Sequence, residues 1–428
     1  MGLKDGPIAN GKPVPRLRLR VIAAAEKTLR SGHPWLFGES IVEQNRAGEL
    51  GELGVVYDRK DRFLAVGLFD PTSPIRLRVL QAGKATTIDR AWWSGRLKLS
   101  LDRRKLLFAQ HRAQYSSSSS SPSSSHQTTG YRCVHGESDG WPGLVLDCYE
   151  TTLVLKLYTA VWLPRLAEIA GVITEDLQPK RLVLRLSRNI QEIASRQFGN
   201  KDGQILVGAS LTKPVIFQES GIQFEADVLR GQKTGFFLDQ RENRRLVQSL
   251  SAGRAVLNGF SFSGGFSIYA ARGGARSVAD LDISRHSLSA SDRNFLLNRS
   301  DRNISGCPHE LIQADAFEWL KRNEERQFDL IILDPPSLAK RESERQGALR
   351  AYETLALSGM KHLRSNGILV ACSCSTHVTE EEFFQAVRRA ANRSRQRFEE
   401  IAKMGHPPDH PANFKEARYL KSIYLKLK

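Results

Sequence analysis

Beyond residue 238 the chain alternates short apolar runs with stretches of helical spacing. The runs are RAVLNGF (254–260), SVADLD (277–282), ELIQAD (310–315), DLIILD (329–334) and GILVACS (367–373). Runs of this length and composition suit strands covered on both faces. The intervals, such as HSLSASDRNFLLN and EEEFFQAVRRAANRS, suit helices, and Thr379 with Glu382 predicts a capping box on the last of them. The pattern therefore predicts an α/β domain with a doubly wound, parallel sheet whose ligands sit at the strand C-termini.

Earlier segments read differently. RLRLRV (16–21) alternates basic and apolar residues, as a half-exposed strand would, and GVVYD, FLAVGLFD and IRLRVL (75–80) extend a small β-rich module. Helical spacing follows over 89–112, with Trp92, Leu97, Leu101 and Leu106 among basic residues. The serine tract at 116–125 predicts a disordered loop. TTLVLKLY, RLVLRLS, QILVGAS and IQFEADVL, with one helical stretch at VWLPRLAEIAGVI, predict a small α+β domain. The expected organisation is a β-rich domain at 14–85, a helical connector at 86–128, an α+β domain at 129–230 and an α/β domain at 231–428.

Charge narrows the function. The 428 residues carry a net charge of +17, and residues 1–112 hold 21 Lys and Arg against 11 Asp and Glu, so +10 of that excess lies in the first quarter. A basic lobe of this kind favours a polyanionic partner, with a merely solubilising surface as the alternative. No run approaches the roughly 18–20 apolar residues that span a bilayer. The opening MGLKDGPIANGK lacks a signal-peptide core, and five cysteines form neither a disulfide framework nor paired CxxC knuckles. The expectation is a cytoplasmic protein without a membrane segment or a metal.

Candidate chemistry lies at the predicted strand ends. VLNGFSFSGGFSIYA (256–270) runs from strand through a turn into a helix, where Gly264 and Gly265 allow close backbone approach. Asp282 ends the next strand, suited to ribose hydroxyls, and Asp315 ends the third, suited to an adenine amine. The turn lacks the spaced glycines that seat a pyrophosphate, which favours S-adenosylmethionine over a dinucleotide. A packing glycine pair is the alternative.

Two further segments describe the acceptor. In Leu333-Asp334-Pro335-Pro336-Ser337, Asp334 is placed to hold a base edge while Pro335 and Pro336 fix the backbone presenting it. In Ala371-Cys372-Ser373-Cys374-Ser375, Cys374 just past a strand end is the candidate nucleophile. No aromatic follows the diproline, as amine-directed enzymes commonly require, so carbon methylation of a nucleobase is favoured. Two buried cysteines are the alternative reading of this segment. His377 reads as a solvent-facing or structural histidine.

With these segments assembled, the chain resembles the bacterial 23S rRNA (cytosine-5) methyltransferase I family. The likeness rests on SGHPWLFGESI (31–41), FLAVGLFDPTSPIRLRVL (63–80), HGESDGWPGLVLDCY (135–149), GQKTGFFLDQRENR (231–244), LNGFSFSGGFS, LDPPS and CSCS. It implies a PUA-like RNA-binding domain, a small EEHEE domain and a Rossmann-like class I methyltransferase domain. It also implies S-adenosylmethionine as cofactor and 23S rRNA as partner. By matching position, Lys233, Phe260, Asp282, Asp315 and Asp334 line the cofactor and base pocket, and Cys374 is the nucleophile. Ser337 stands where many RNA cytosine-5 methyltransferases carry a second cysteine. Arg16, Arg18 and Arg20 are candidate RNA contacts, with a solvated strand face as the alternative. A related rRNA methyltransferase acting on guanine N7 or an exocyclic amine without an adduct stays open. So do a non-catalytic RNA-binding factor and the oligomeric state, with a homodimer among its alternatives.

Overall fold

The computed structural model describes residues 8–9, 12–13, 15–115 and 127–428, and the serine tract at 116–125 lies outside them. The chain divides into two compact units. Unit 1 comprises Met1–Ser123, Thr129–Val215 and Ala226–Phe236; unit 2 comprises Ser124–Thr128, Ile216–Glu225 and Phe237–Lys428.

Unit 1 contains two larger sheets besides a short ribbon that pairs Ile8–Ala9 with Lys12–Pro13. The first has six strands in the order Trp35–Phe37, Ile75–Ala82, Phe63–Phe69, Leu53–Tyr57, Leu17–Val21, Ile41–Gln44. Its basic–apolar alternation resolves as expected: Leu17, Leu19 and Val21 are buried while Arg18 and Arg20 face outward. The second sheet has five strands in the order Gln204–Val207, Arg181–Leu186, Thr152–Leu157, Leu144–Tyr149, Gly130–His135. Trp93, Trp141 and Trp162 pack together in its core, with ring centroids 5.2–5.9 Å apart. Pro164 sits in a 3-10 segment, so the expected helix begins only at Leu166 and runs to Leu177. IQFEADVL does not join this sheet. Its Ile222–Ala226 strand pairs with Val215–Glu219 in a separate two-stranded ribbon.

Unit 2 is built on a seven-stranded sheet. Its strands, in chain order, are β1 (Ala255–Gly259), β2 (Ser277–Asp282), β3 (His309–Gln313), β4 (Phe328–Leu333), β5 (Leu363–Ser373), β6 (Phe398–Met404) and β7 (Lys421–Leu427). Their spatial order is β3-β2-β1-β4-β5-β7-β6. The first five are parallel, as the apolar runs predict, and β7 joins β5 antiparallel, with β6 outside it. Chain order reverses between β1 and β4, so the crevice for ligands lies at the C-terminal ends of β1, β2, β4 and β5. Thr379 and Glu382 form the predicted capping box at the start of helix Glu380–Arg393. Among the described residues no helix is long and apolar enough to cross a membrane.

Candidate functional site

β1 ends at Gly259, and the helix Gly265–Arg272 begins after five intervening residues. The intervening turn puts two aromatic residues in the left-handed region, Phe260 at φ 61° and Phe262 at φ 49°. Such backbone costs roughly 1–3 kcal/mol per residue and collects at ligand sites. Here it is held from β2. Phe260 and Ser261 N–H groups donate to the Leu281 carbonyl at 2.8 and 3.2 Å, and the Phe262 N–H to Asp282 Oδ2 at 2.9 Å. Gly264, at φ 74°, serves packing: an added Cβ would lie 2.0 Å from Ser291 Oγ.

Asp282 terminates β2 as expected. Its Oδ2 takes the Phe262 N–H and its Oδ1 the Ser284 N–H at 2.8 Å, leaving each oxygen a further acceptor site. Ile283 beside it is 69% exposed, a large apolar side chain at the mouth of a parallel sheet. An acid for a diol next to an apolar platform suits a nucleoside. Asp315 departs from expectation: β3 stops at Gln313, and Asp315 instead caps helix Ala316–Arg322 by accepting the Glu318 N–H at 3.0 Å. It is exposed, and only Oδ1 is engaged in the cap.

Two groups that local pattern did not single out brace this corner. Asp280, fully buried two residues before Asp282, bonds Asn258 Nδ2 at 3.0 Å, Ser291 Oγ at 2.5 Å, His309 Nε2 at 2.9 Å and the Ser267 hydroxyl. It thereby ties β1, β3 and two helices to β2. An acid inside an otherwise apolar strand was the available signal. The second is Gln240 in the segment LDQRENR. Its Nε2 donates to Asp334 Oδ2 at 2.9 Å, while its Oε1 accepts from Asn243 at 2.6 Å. Asn243 Oδ1 in turn accepts the Ser422 and Tyr424 hydroxyls of β7 at 2.7 and 3.0 Å. The acid at 334 is thus aimed by a buried relay that starts in the last strand.

Asp334 follows β4 and Cys374 follows β5. These strands are parallel neighbours with Leu333 opposite Ala371, so both residues emerge at the same sheet edge. Strand spacings of about 4.8 Å across and 3.3 Å along place their α-carbons roughly 8 Å apart. Pro335 is buried and anchors the segment, whereas Pro336 is exposed. Burial pushes the Cys372 thiol well above its usual range, and the nearby charges of Asp334 and Cys374 push the same way. Cys372 is therefore unsuited to act as a thiolate. Of the five cysteines Cys133, Cys148, Cys307 and Cys372 are buried; Cys374 is not. His377 pairs with Glu342 at 3.5 Å, and the Ser337 hydroxyl donates to the Ala339 carbonyl at 3.0 Å.

The remaining expected residues lie in unit 1. Lys233 adopts φ 53°, and its carbonyl accepts the Lys156 ammonium at 2.9 Å. Arg18 bonds Asp61 at 3.0 Å and lies over the Tyr57 ring, while Arg20 pairs with Glu43 at 3.1 Å and Asp61 at 3.3 Å. Arg16 precedes the strand, and its carbonyl accepts from Asn45 at 2.9 Å. These exposed pairs are weak enough to exchange for phosphates.

A family model described as S-adenosylmethionine-dependent methyltransferase matches residues 191–426, and a PUA-like domain model matches residues 19–82. The ribosomal RNA large subunit methyltransferase of Deinococcus radiodurans is 52% identical over 421 residues, covering 98% of this chain and 99% of that protein. Ribosomal RNA large subunit methyltransferase I of Photobacterium profundum is 33% identical over 421 residues, covering 95% and 97% respectively. Among solved structures, that of SMU.776 in complex with SAH matches with a TM-score of 0.77 at 23% identity, covering 96% of this chain and 100% of that one. This last likeness bears on the fold, a PUA-like domain joined to a Rossmann-like methyltransferase domain.

Proposed function

Because the chain belongs to the family of S-adenosylmethionine-dependent methyltransferases, we propose that it methylates carbon 5 of a cytosine in large-subunit ribosomal RNA through a thiolate adduct on Cys374. S-adenosylmethionine is the methyl donor, and the residues at the β1–β2 corner fit it. Asp282 keeps acceptor sites for the ribose diol, Ile283 offers an apolar face to the adenine, and Asp315 retains an oxygen for the adenine amine. Phe260 and Gly264 shape the turn beside it, and Lys233 is assigned here by family position alone.

The observation that carries the acceptor assignment is the pairing of an acid and a non-buried cysteine at the ends of adjacent strands. Cytosine carbon 5 is a weak nucleophile. In this reading the Cys374 sulfur bonds to carbon 6, and the displaced electron pair makes carbon 5 nucleophilic. Asp334, oriented by Gln240, accepts the exocyclic amine and so holds the ring against the sulfur. The cofactor supplies a methyl group on a positively charged sulfur. A water molecule then takes the carbon 5 proton, the electron pair of that C–H bond returns to the ring, and the carbon 6–sulfur bond breaks to release the Cys374 thiolate. Pro335 and Pro336 fix the backbone on which the base rests.

The base must be unstacked to reach this edge, at a cost of a few kcal/mol that RNA contacts offset. Arg16, Arg18 and Arg20 are proposed phosphate contacts of the PUA-like domain, with binding that weakens steeply as salt rises. A cytoplasmic location belongs to the same reading. The test is to incubate ribosomal RNA with the protein and labelled cofactor and identify the modified nucleoside after digestion. The label is expected in 5-methylcytidine. Label in a guanosine or on an exocyclic amine would overturn the carbon assignment, and no label at all would favour a non-catalytic RNA-binding factor.

A further inference from the structure

The turn that carries Cys374 is held by Lys421, the first residue of β7 and the partner of Ser373 in the β5–β7 ladder. Its side chain is 2% exposed, and its ammonium donates to the carbonyls of Ser375 at 2.5 Å and of Val378. Those two carbonyls bracket residues 375–378, immediately after the cysteine. Two neutral carbonyls do not neutralise an ammonium, and a buried cation without a counter-charge is costly. Among the described residues no carboxylate forms an ion pair with Lys421. The acidic groups that act on it are Cys374, Glu380 and Glu382, with the cysteine contributing most after burial itself. Burial lowers its titration to about 8, so the ammonium still predominates at neutral pH. The other titratable groups around the sulfur are Cys372 and Tyr352, both pushed up mainly by burial, and the Asp334 carboxylate at the neighbouring strand end, none of them a source of positive charge.

We propose that Lys421 is the counter-cation of the Cys374 thiolate, pinning the turn that presents the sulfur and keeping that sulfur in its ionised form. Lys421 is thus a positioning residue that acts through Cys374, and the inference rests on Cys374 being the nucleophile of the proposed reaction. Thiolate rather than thiol is the reactive species, so the pH dependence of alkylation reads the effect directly.

The experiment treats the full chain with iodoacetamide across a pH series and quantifies the Cys374 peptide by mass spectrometry. In the wild type, half-maximal labelling is expected clearly below the ordinary thiol value of about 8.5. Lys421→Gln should move the midpoint up by about one unit, slowing labelling at neutral pH by about tenfold. Lys421→Arg, which keeps the charge, should restore the low midpoint. A purely structural lysine would leave the midpoint unchanged in every variant whose thermal transition is intact. A wild-type midpoint at or above about 8.5, or the same midpoint in Lys421→Gln, overturns the inference. If Lys421→Gln does not fold, the wild-type midpoint and the Lys421→Arg profile decide. Full methyl transfer by Cys374→Ala would instead remove the nucleophile assignment without touching the alkylation result, so the two failures are separable.

Discussion

Cys374→Ala is expected to lose methyl transfer to ribosomal RNA by about a thousandfold or more, as removal of a covalent nucleophile does. Binding of S-adenosylmethionine, followed by calorimetry, should stay near wild type because the Asp282 corner is untouched. The same substitution two residues earlier should behave in the opposite way. Cys372 is buried inside β5 opposite Ser422, so Cys372→Ala should cost about 1 kcal/mol of stability and little activity. Single-turnover transfer with both variants makes the comparison. Equal activity in the two would dissolve the distinction between the buried and the half-exposed sulfur.

Glu219→Ala should produce the largest loss of stability, about 3–5 kcal/mol. Arg244 Nε and Nη2 each bond a Glu219 oxygen at 2.8 Å, and both side chains are buried. Tyr269 donates to the same carboxylate at 3.1 Å. Truncating the acid takes both of these charge-assisted hydrogen bonds away from a buried guanidinium. Glu219→Met with Arg244→Met should recover most of the loss, since the pair as a whole offsets its own desolvation only partly. Hydrogen exchange of the β1–β5 amides reports unit 2 separately from unit 1 and supplies the measurement. A loss below about 1 kcal/mol would show that the pair is dispensable.

The elements that were legible in the sequence are those whose environment is written locally. β1, β2, β4 and β5 are largely buried, so their residues are mostly apolar whatever the long-range order, and SVADLD matches its strand residue for residue. Arg18 and Arg20 announce a one-sided strand, and Thr379 with Glu382 a helix start, because both signals span only a few positions. FEEIAKM at β6 failed to register because it is an outer strand, largely exposed, with Glu399, Glu400 and Lys403 interrupting its apolar residues. Asp315 was read as a strand end because an acid after an apolar run looks alike whether it finishes the strand or caps the following helix.

The candidate site was legible in part for the same reason. Asp334 and Cys374 each follow an apolar run, and a parallel sheet brings such run ends to one edge. Their supports are another matter. Gln240 meets Asp334 across 94 residues, and Lys421 meets the Ser375 carbonyl across 46. Neither partner leaves a mark in the local pattern, because a hydrogen bond between distant segments imposes no spacing on either. A lysine opening an apolar strand resembles a solvent-facing end until the ladder places it beneath a turn.

The most direct test of the account uses a ribosomal RNA fragment carrying 5-fluorocytidine in place of cytidine, together with S-adenosylmethionine. Fluorine at carbon 5 cannot leave as a proton, so the methylated base should remain joined to the sulfur. The account predicts a complex that survives denaturation, whose cross-linked peptide contains Cys374, and that Cys374→Ala does not form. Steady methylation of cytidine RNA with no trapped complex, or a complex joined elsewhere in the chain, would contradict it.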